Sequence, residues 1–272
     1  MKIPTHKLSN GMSIPMIGIG TWELTGNQCT ESIKIALALG YRHIDTAEMY
    51  TNEEQIGKAI AGFPRDQLFI TSKVWPGNAS YAGMMKACDK SLEKLGTNYL
   101  DLYLLHWPKK ELDLKEAFRG FADLIKQGKI RAMGVSNFTI TQLKDAIALA
   151  GEAGIQIVTN QVEFHPMLHQ KELLDFCKAN KIAVTAYSPL ARGMVLKNNV
   201  ITNVAAKYSK TAAQVSLAWL VQKDIIVIPK ASSESHMAQN LELPHLEQAD
   251  MKRIDEITDR QRMVNPAWAV WD

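Results

Sequence analysis

The chain's strongest constraint is a repeated alternation. Short, nearly all-apolar runs alternate with amphipathic helical stretches, eight times over. Leu68-Phe69-Ile70-Thr71, Leu102-Tyr103-Leu104-Leu105, Ile182-Ala183-Val184-Thr185-Ala186-Tyr187 and Ile225-Ile226-Val227-Ile228 carry almost no polar residues. Strands that read this way are buried on both faces, as in a parallel sheet covered by helices. Met16–Gly20 supplies the first strand. After it come helix 29–39, strand 42–46, helix 53–61, strand 68–74, helix 80–95, strand 100–106, helix 114–127 and strand 130–135. Helix 139–150, strand 156–162, helix 169–180, strand 182–187, helix 211–223 and strand 225–229 complete the series, with an eighth helix starting after Ser232 and Ser233. Eight such units in about 250 residues predict an α/β fold, a (β/α)8 TIM barrel. An open doubly wound sheet is the competitor. Its glycine fingerprint fails, because Gly18-Ile19-Gly20-Thr21-Trp22-Glu23 lacks the third glycine.

Three features lie outside the repeat. Asn10-Gly11 between short alternating runs predicts an N-terminal β-hairpin with a type I′ turn. The connection from Leu190 to Lys210 is long and reads as loop before its helix starts. Residues 260–272 form a Trp-rich C-terminal tail. No linker or low-complexity segment divides the chain, so residues 1–272 are expected to form a single barrel domain. A net charge of +3 without a long basic run predicts no nucleic-acid partner. The first ten residues lack an apolar signal core and no run is long enough to cross a bilayer, which predicts no membrane association and a cytoplasmic location. Cys29, Cys88 and Cys177 fall in helical contexts and are expected to be reduced, buried thiols. Closing a barrel leaves no sheet edge to pair, so a monomer is expected.

A barrel of this kind keeps its active site at the C-terminal ends of its strands. Those ends carry Thr21-Trp22, Asp45, Lys73-Val74-Trp75, His106-Trp107, Ser136-Asn137, Asn160-Gln161, Tyr187-Ser188 and Lys230. A tyrosine is a poor proton donor at neutral pH, and a neighbouring lysine cation favours its phenolate. Tyr50 with Lys73, and Asp45 to hold the lysine, therefore make a tunable general acid. His106 can orient a carbonyl oxygen between itself and Tyr50. No nucleophile signature accompanies them, which points to hydride delivery from a cofactor. Ser136, Asn137 and Gln161 suit a carboxamide, Tyr187 offers a stacking ring, and Lys230 with Ser232 and Ser233 suits a phosphate. Trp22, Trp75 and Trp107, with Trp268 and Trp271 of the tail, are expected to wall an apolar pocket. Trp219 is expected in the core, His43 and His165 read as structural, and Glu53 and Glu54 read as first-turn residues favoured by the helix dipole. The spacing of His6, His169 and His245 suits no metal.

These stretches together carry a resemblance over essentially the whole chain. Gly40–Ala47 with Tyr50 and Asn52-Glu53, Ile70–Trp75, Asp101–Pro108, Met133–Phe138, Asn160–Pro166, Ala186–Leu190 and Ile228–Lys230 resemble the aldo-keto reductase superfamily. The resemblance implies NADPH-dependent reduction of a small-molecule carbonyl substrate, with Tyr50 as acid, Lys73 and Asp45 tuning it, and His106 orienting the carbonyl. Thr21 and Asp45 would contact the cofactor, the nicotinamide would lie against Tyr187, the pyrophosphate would run past Ser188 and Leu190, and the adenosine end would reach Lys230 to Asn240. The short loops look like the compact bacterial members that reduce methylglyoxal and 2,5-diketogluconate. Where the family usually has Ser, Arg and Glu at the 2′-phosphate site, this chain has Ala231, His236 and Gln239, with Asn240 retained. Arg clamps phosphate better than His does, so weakened NADPH affinity and possible NADH use are expected. Two other classes compete: a nucleotide-binding barrel without turnover, and a metal-dependent barrel hydrolase built on Asp45 and His106.

Overall fold

The computed structural model describes residues 3–271. An antiparallel hairpin, β1 (Thr5–Lys7) and β2 (Ser13–Pro15), opens the chain. The barrel strands are β3 (Ile19–Gly20), β4 (His43–Asp45), β5 (Phe69–Val74), β6 (Leu102–Leu105), β7 (Met133–Ser136), β8 (Ile157–Glu163), β9 (Ala183–Tyr187) and β10 (Ile226–Val227). The helices are α1 (Gly26–Ala38), α2 (Glu53–Ile60), α3 (Tyr81–Leu95), α4 (Leu114–Lys126), α5 (Ile140–Glu152), α6 (Lys171–Ala179), α7 (Asn199–Lys207), α8 (Ala212–Gln222), α9 (Glu234–Leu241) and α10 (Gln248–Asp255). Each strand from β3 to β10 pairs in parallel with the next. The ring closes through a parallel bridge from Ile17 to Val227, with Gly18 N donating to Val227 O at 2.9 Å. The expected (β/α)8 barrel is therefore present.

Closure depends on glycine. A Cβ on Gly20 would lie 2.5 Å from the Ile228 carbonyl oxygen, and one on Gly18 would lie 2.6 Å from His43 Nδ1. The first strand is short and glycine-spaced because another backbone and a histidine ring pass close to it. Two apolar layers result. The outer one fills the space between strands and helices and contains Trp219, as expected. The inner one holds Phe69, Leu102, Leu104, Val158 and Ile226, and the hairpin caps it from below with Leu8 and Ile14.

Two sequence expectations change here. The hairpin loop runs from Leu8 to Met12, with Leu8 N donating to Met12 O at 2.8 Å, and only Gly11 has a left-handed backbone (φ 88°). A type I′ turn needs two such residues; the wider loop lets Leu8 reach the inner core. The long connection after β9 is not plain loop, since it contains a 3-10 segment, Ala191–Lys197, and helix α7. Asn198 caps α7 by accepting from Val200 N and Ile201 N, and Ile201, Val204 and Ala205 form its buried face. Glu53 and Glu54 stand in the first turn of α2, as expected; Glu53 is also buried and accepts from Ser72 Oγ of β5 at 2.7 Å. Glu54 is exposed and pairs with Lys58. Cys29, Cys88 and Cys177 are free and buried. Among the described residues no helix is long and apolar enough to cross a membrane.

Candidate active site

Three strands converge on one buried ion pair. Asp45 ends β4 and Lys73 points inward from β5, both almost wholly buried. Lys73 Nζ donates to Asp45 Oδ1 at 2.5 Å and to the Thr46 carbonyl at 2.8 Å. Gln161 Nε2, from β8, donates to Asp45 Oδ2 at 2.7 Å. Tyr50 closes a 3-10 turn, Glu48–Tyr50, and its hydroxyl lies 3.4 Å from Lys73 Nζ. Asn52 holds this turn down: its side chain accepts from Thr46 Oγ1 and donates to the carbonyls of Thr21 and Leu24. Below the pair, His43 contacts Thr71 Oγ1 and the Pro15 carbonyl, as a structural histidine, and burial pulls its pKa down to about 4.

The electrostatics correct one expectation. Burial, and then the Asp45 carboxylate, push the Tyr50 phenol well above its usual pKa. The same burial pulls the Lys73 ammonium down, against the opposing pull of Asp45. Desolvation of the phenolate outweighs the attraction of a lysine whose charge Asp45 already neutralises. Tyr50 therefore keeps its proton across neutral pH. Lys73 can stabilise charge only as it develops on the phenol oxygen.

His106 follows β6, with its ring 5.6 Å from that of Tyr50. Burial and Lys73 hold its pKa well below the usual histidine value, so the imidazole is neutral. Its buried Nδ1 has no hydrogen-bond partner among the described residues. A cavity of about 510 Å³ opens over these groups. Trp22, Met49, Trp107 and Val264 form its apolar side, while Thr21, Asn137, Gln161, Tyr187 and Lys230 form its polar side. Trp22 meets Tyr50 edge-on at 4.8 Å. Trp75 does not line the cavity. Glu48 accepts from its backbone N–H and the turn Pro76–Asn78 carries the ring behind His106, at 5.4 Å. Trp268 and Trp271 also stand behind the wall, packed against Trp107 at 5.0 and 5.8 Å.

The polar side is largely bonded to itself. Thr21 Oγ1 donates to the Asp45 carbonyl, and Ser136 Oγ to the Gln161 carbonyl. Asn137 has a left-handed backbone (φ 65°), which turns its amide inward. Its Nδ2 donates to the His106 carbonyl and Ser136 Oγ, and its Oδ1 accepts from the Tyr187 hydroxyl at 2.7 Å. Beyond Tyr187, Ser188, Ala191, Arg192 and Gly193 all have left-handed backbones. Ser188, Leu190, Arg192 and Gly193 line the cavity along this turn, and Lys230 stands at its far end. Arg192, Gly193 and Val264 were not anticipated from the sequence, because the long connection and the tail carry no periodic pattern. Ser232, Ser233, His236, Gln239 and Asn240 lie outside the cavity lining. Ser233 caps α9 by accepting from His236 N, Ser232 and His236 are exposed, and Asn240 is buried against the Tyr41 hydroxyl. Among the described residues no three His, Cys, Asp or Glu side chains gather as a metal site would require.

Comparison with known proteins gives this geometry its context. Residues 16–259 match the Aldo/keto reductase family. Glyoxal reductase of Bacillus subtilis (strain 168) is 45% identical over 264 residues, covering 95% of this chain and 94% of that protein. Methylglyoxal reductase DkgB of Salmonella typhimurium is 40% identical over 261 residues, covering 94% and 97%. Among solved structures, an aldo-keto reductase of Bombyx mori in complex with NADP superposes with a TM-score of 0.90 at 32% identity, covering 97% of this chain and 96% of that one. A protein provisionally described as 2,5-diketo-D-gluconic acid reductase B reaches 0.93 at 36% identity, covering 99% and 98%. The chain belongs to the aldo/keto reductase family and is an oxidoreductase acting on carbonyl groups.

Proposed function

We propose that the protein reduces small aldehydes and ketones, dicarbonyls such as methylglyoxal first among them, with NADPH as hydride donor and Tyr50 as proton donor. The observation that carries this reading is the buried Tyr50–Lys73–Asp45–Gln161 chain facing a neutral His106 across an apolar-walled cavity. A carbonyl oxygen placed between Tyr50 and His106 would accept from both. Tyr50 then gives up its proton as negative charge builds on that oxygen, and Lys73, 3.4 Å away, stabilises the phenolate left behind. Asp45 holds the ammonium in place. Trp22 and Trp107 exclude water and suit a small, weakly polar substrate.

The donor set fits a nicotinamide dinucleotide. Asn137 spends both amide hydrogens internally but keeps a lone pair on Oδ1. Gln161 keeps one N–H and its carbonyl. A carboxamide, which donates and accepts, complements that remainder. Tyr187 would support the ring, and the left-handed turn Ser188–Gly193 with Arg192 and Lys230 would hold the phosphates. Such a cofactor supplies the hydride. Ser232, Ser233, His236, Gln239 and Asn240 would then lie along the adenosine half, outside the cavity. With His236 in place of Arg at that end, NADH is a usable second donor. The family relationship and the relative complexed with NADP support nucleotide use. The test is consumption of NADPH and of NADH by the purified protein with methylglyoxal. Turnover with both is the expected result. Tight nucleotide binding with no turnover across a panel of carbonyls would favour a barrel that binds without catalysing.

A further inference from the structure

One fully buried carboxylate lies just above the site and takes no part in the proton path. Glu163 is the next inward-facing residue of β8 after Gln161, and it is completely shielded from solvent. Its Oε1 accepts from Met263 N at 2.6 Å and its Oε2 from Val264 N at 2.8 Å. His165, also fully buried, supplies a third donor. Its Nδ1 accepts from Met167 N, which leaves Nε2 to donate to Glu163 Oε1 at 2.8 Å. A buried carboxylate is tolerable only with this kind of donor shell, and hydrogen bonds to charged groups are the strong ones. The donors come from two places: the β8–α6 connection and the C-terminal tail. The tail is fastened beside it, with Gln261 N donating to the Met167 carbonyl and Arg260 Nη1 to the His169 carbonyl. Arg262, between these points, stacks over Trp271 at 3.7 Å and feels the Glu163 charge.

Beyond this anchor the tail reaches the substrate side. Val264, one of the two anchored residues, lines the cavity. Trp268 then packs against both Trp107 and Trp75, and Trp75 backs His106. We propose that Glu163 is a positioning residue that sets substrate affinity, by fixing through two main-chain bonds the tail that supplies Val264 to the apolar wall of the carbonyl site and backs Trp107 with Trp268. This rests on reading the cavity as a carbonyl-reducing site. One strand thus serves two purposes: Gln161 steadies Asp45 for the proton path, and Glu163 steadies the substrate wall.

The isosteric Glu163→Gln change tests it, since its NH2 would face a main-chain N–H and at least one anchor bond is lost. Met263→Pro removes one of the same bonds from the tail side and leaves the Glu163 side chain in place. In both variants trypsin should cleave after Arg260 or Arg262 about tenfold faster than in the wild type. The KM for methylglyoxal should rise about tenfold, a typical cost of a disturbed apolar pocket, with kcat within about twofold and the nucleotide dissociation constant unchanged. Trp268→Ala should raise KM by itself, and its effect should not multiply with that of Glu163→Gln. A released tail with unchanged KM, a raised KM with a protected tail, or fully multiplicative effects would each overturn the proposal. A role limited to stability would lower the melting temperature and leave KM alone. A wild-type protein that reduces no carbonyl would instead overturn the reductase reading, and the trypsin comparison would still decide whether Glu163 anchors the tail.

Discussion

Replacing Lys73 by Met separates what the buried ion pair does for folding from what it does for chemistry. In the wild type Asp45 has two donors, Lys73 Nζ at 2.5 Å and Gln161 Nε2 at 2.7 Å, and is almost wholly buried. Lys73→Met leaves an uncompensated carboxylate with one neutral donor. Breaking a buried pair from one side costs about 3–5 kcal/mol. Asp45→Asn strands the ammonium, with the Thr46 carbonyl its remaining close acceptor, at a comparable cost. The double variant removes both charges, so it should be more stable than the sum of the single losses by about 1–3 kcal/mol. Its carbonyl reduction should stay lost, because no cation remains beside the phenol oxygen. Urea unfolding midpoints at constant m-value measure the first quantity, and turnover measures the second. Losses that add within about 0.5 kcal/mol, or a double variant with wild-type turnover, would refute this coupling.

The buried histidines and the nucleotide end give two further expected outcomes. The folded protein holds His43 unprotonated down to about pH 4, and burial pulls His106 well below its usual value. In the unfolded chain both take up protons near pH 6.5. Below that value the unfolded state binds more protons, so stability is fully present above about 6.5 and lost as pH falls, by up to about 1.4 kcal/mol per unit for each histidine. Urea midpoints measured down to about pH 4.5 should show it, with a shallower slope in His43→Asn; an unchanged slope in that variant would refute the assignment. At the nucleotide end, His236→Arg should tighten NADPH by about tenfold or more and leave NADH unchanged, since one charged hydrogen bond is worth about 1.5–3 kcal/mol. Equal effects on both nucleotides would place His236 away from the 2′-phosphate.

The barrel was legible because its strands are apolar on both faces, a pattern an exposed sheet does not tolerate. The strand ends were legible because Asp45, Lys73 and His106 are polar residues closing apolar runs. What escaped lies where no period runs. Helix α7 begins with the β-branched stretch Val200-Ile201-Thr202, poor in helix propensity, and is carried by the Asn198 cap and its buried Ile201–Val204–Ala205 face. Glu53 looks like an ordinary first-turn acid, and only the packing of α2 onto β5 shows it buried beside Ser72. Trp75 reads as a pocket residue until the Glu48 contact and the Pro76 turn carry it behind His106. Glu163 lies one strand period beyond Gln161, so its inward direction could be read from alternation. Its partners, a hundred residues away in the tail, could not. The effect of burial on Tyr50 was also out of reach, because it depends on how completely the barrel mouth closes over the phenol.

The central claim is that Tyr50 supplies the proton. The direct measurement is the rate of reduced nicotinamide loss with methylglyoxal, for wild type and Tyr50→Phe side by side, with nucleotide binding measured on both. A positioned acid contributes about 10²–10⁴, so Tyr50→Phe should be slower by at least about a hundredfold while binding the nucleotide equally well. A variant that turns over at close to the wild-type rate would contradict the account.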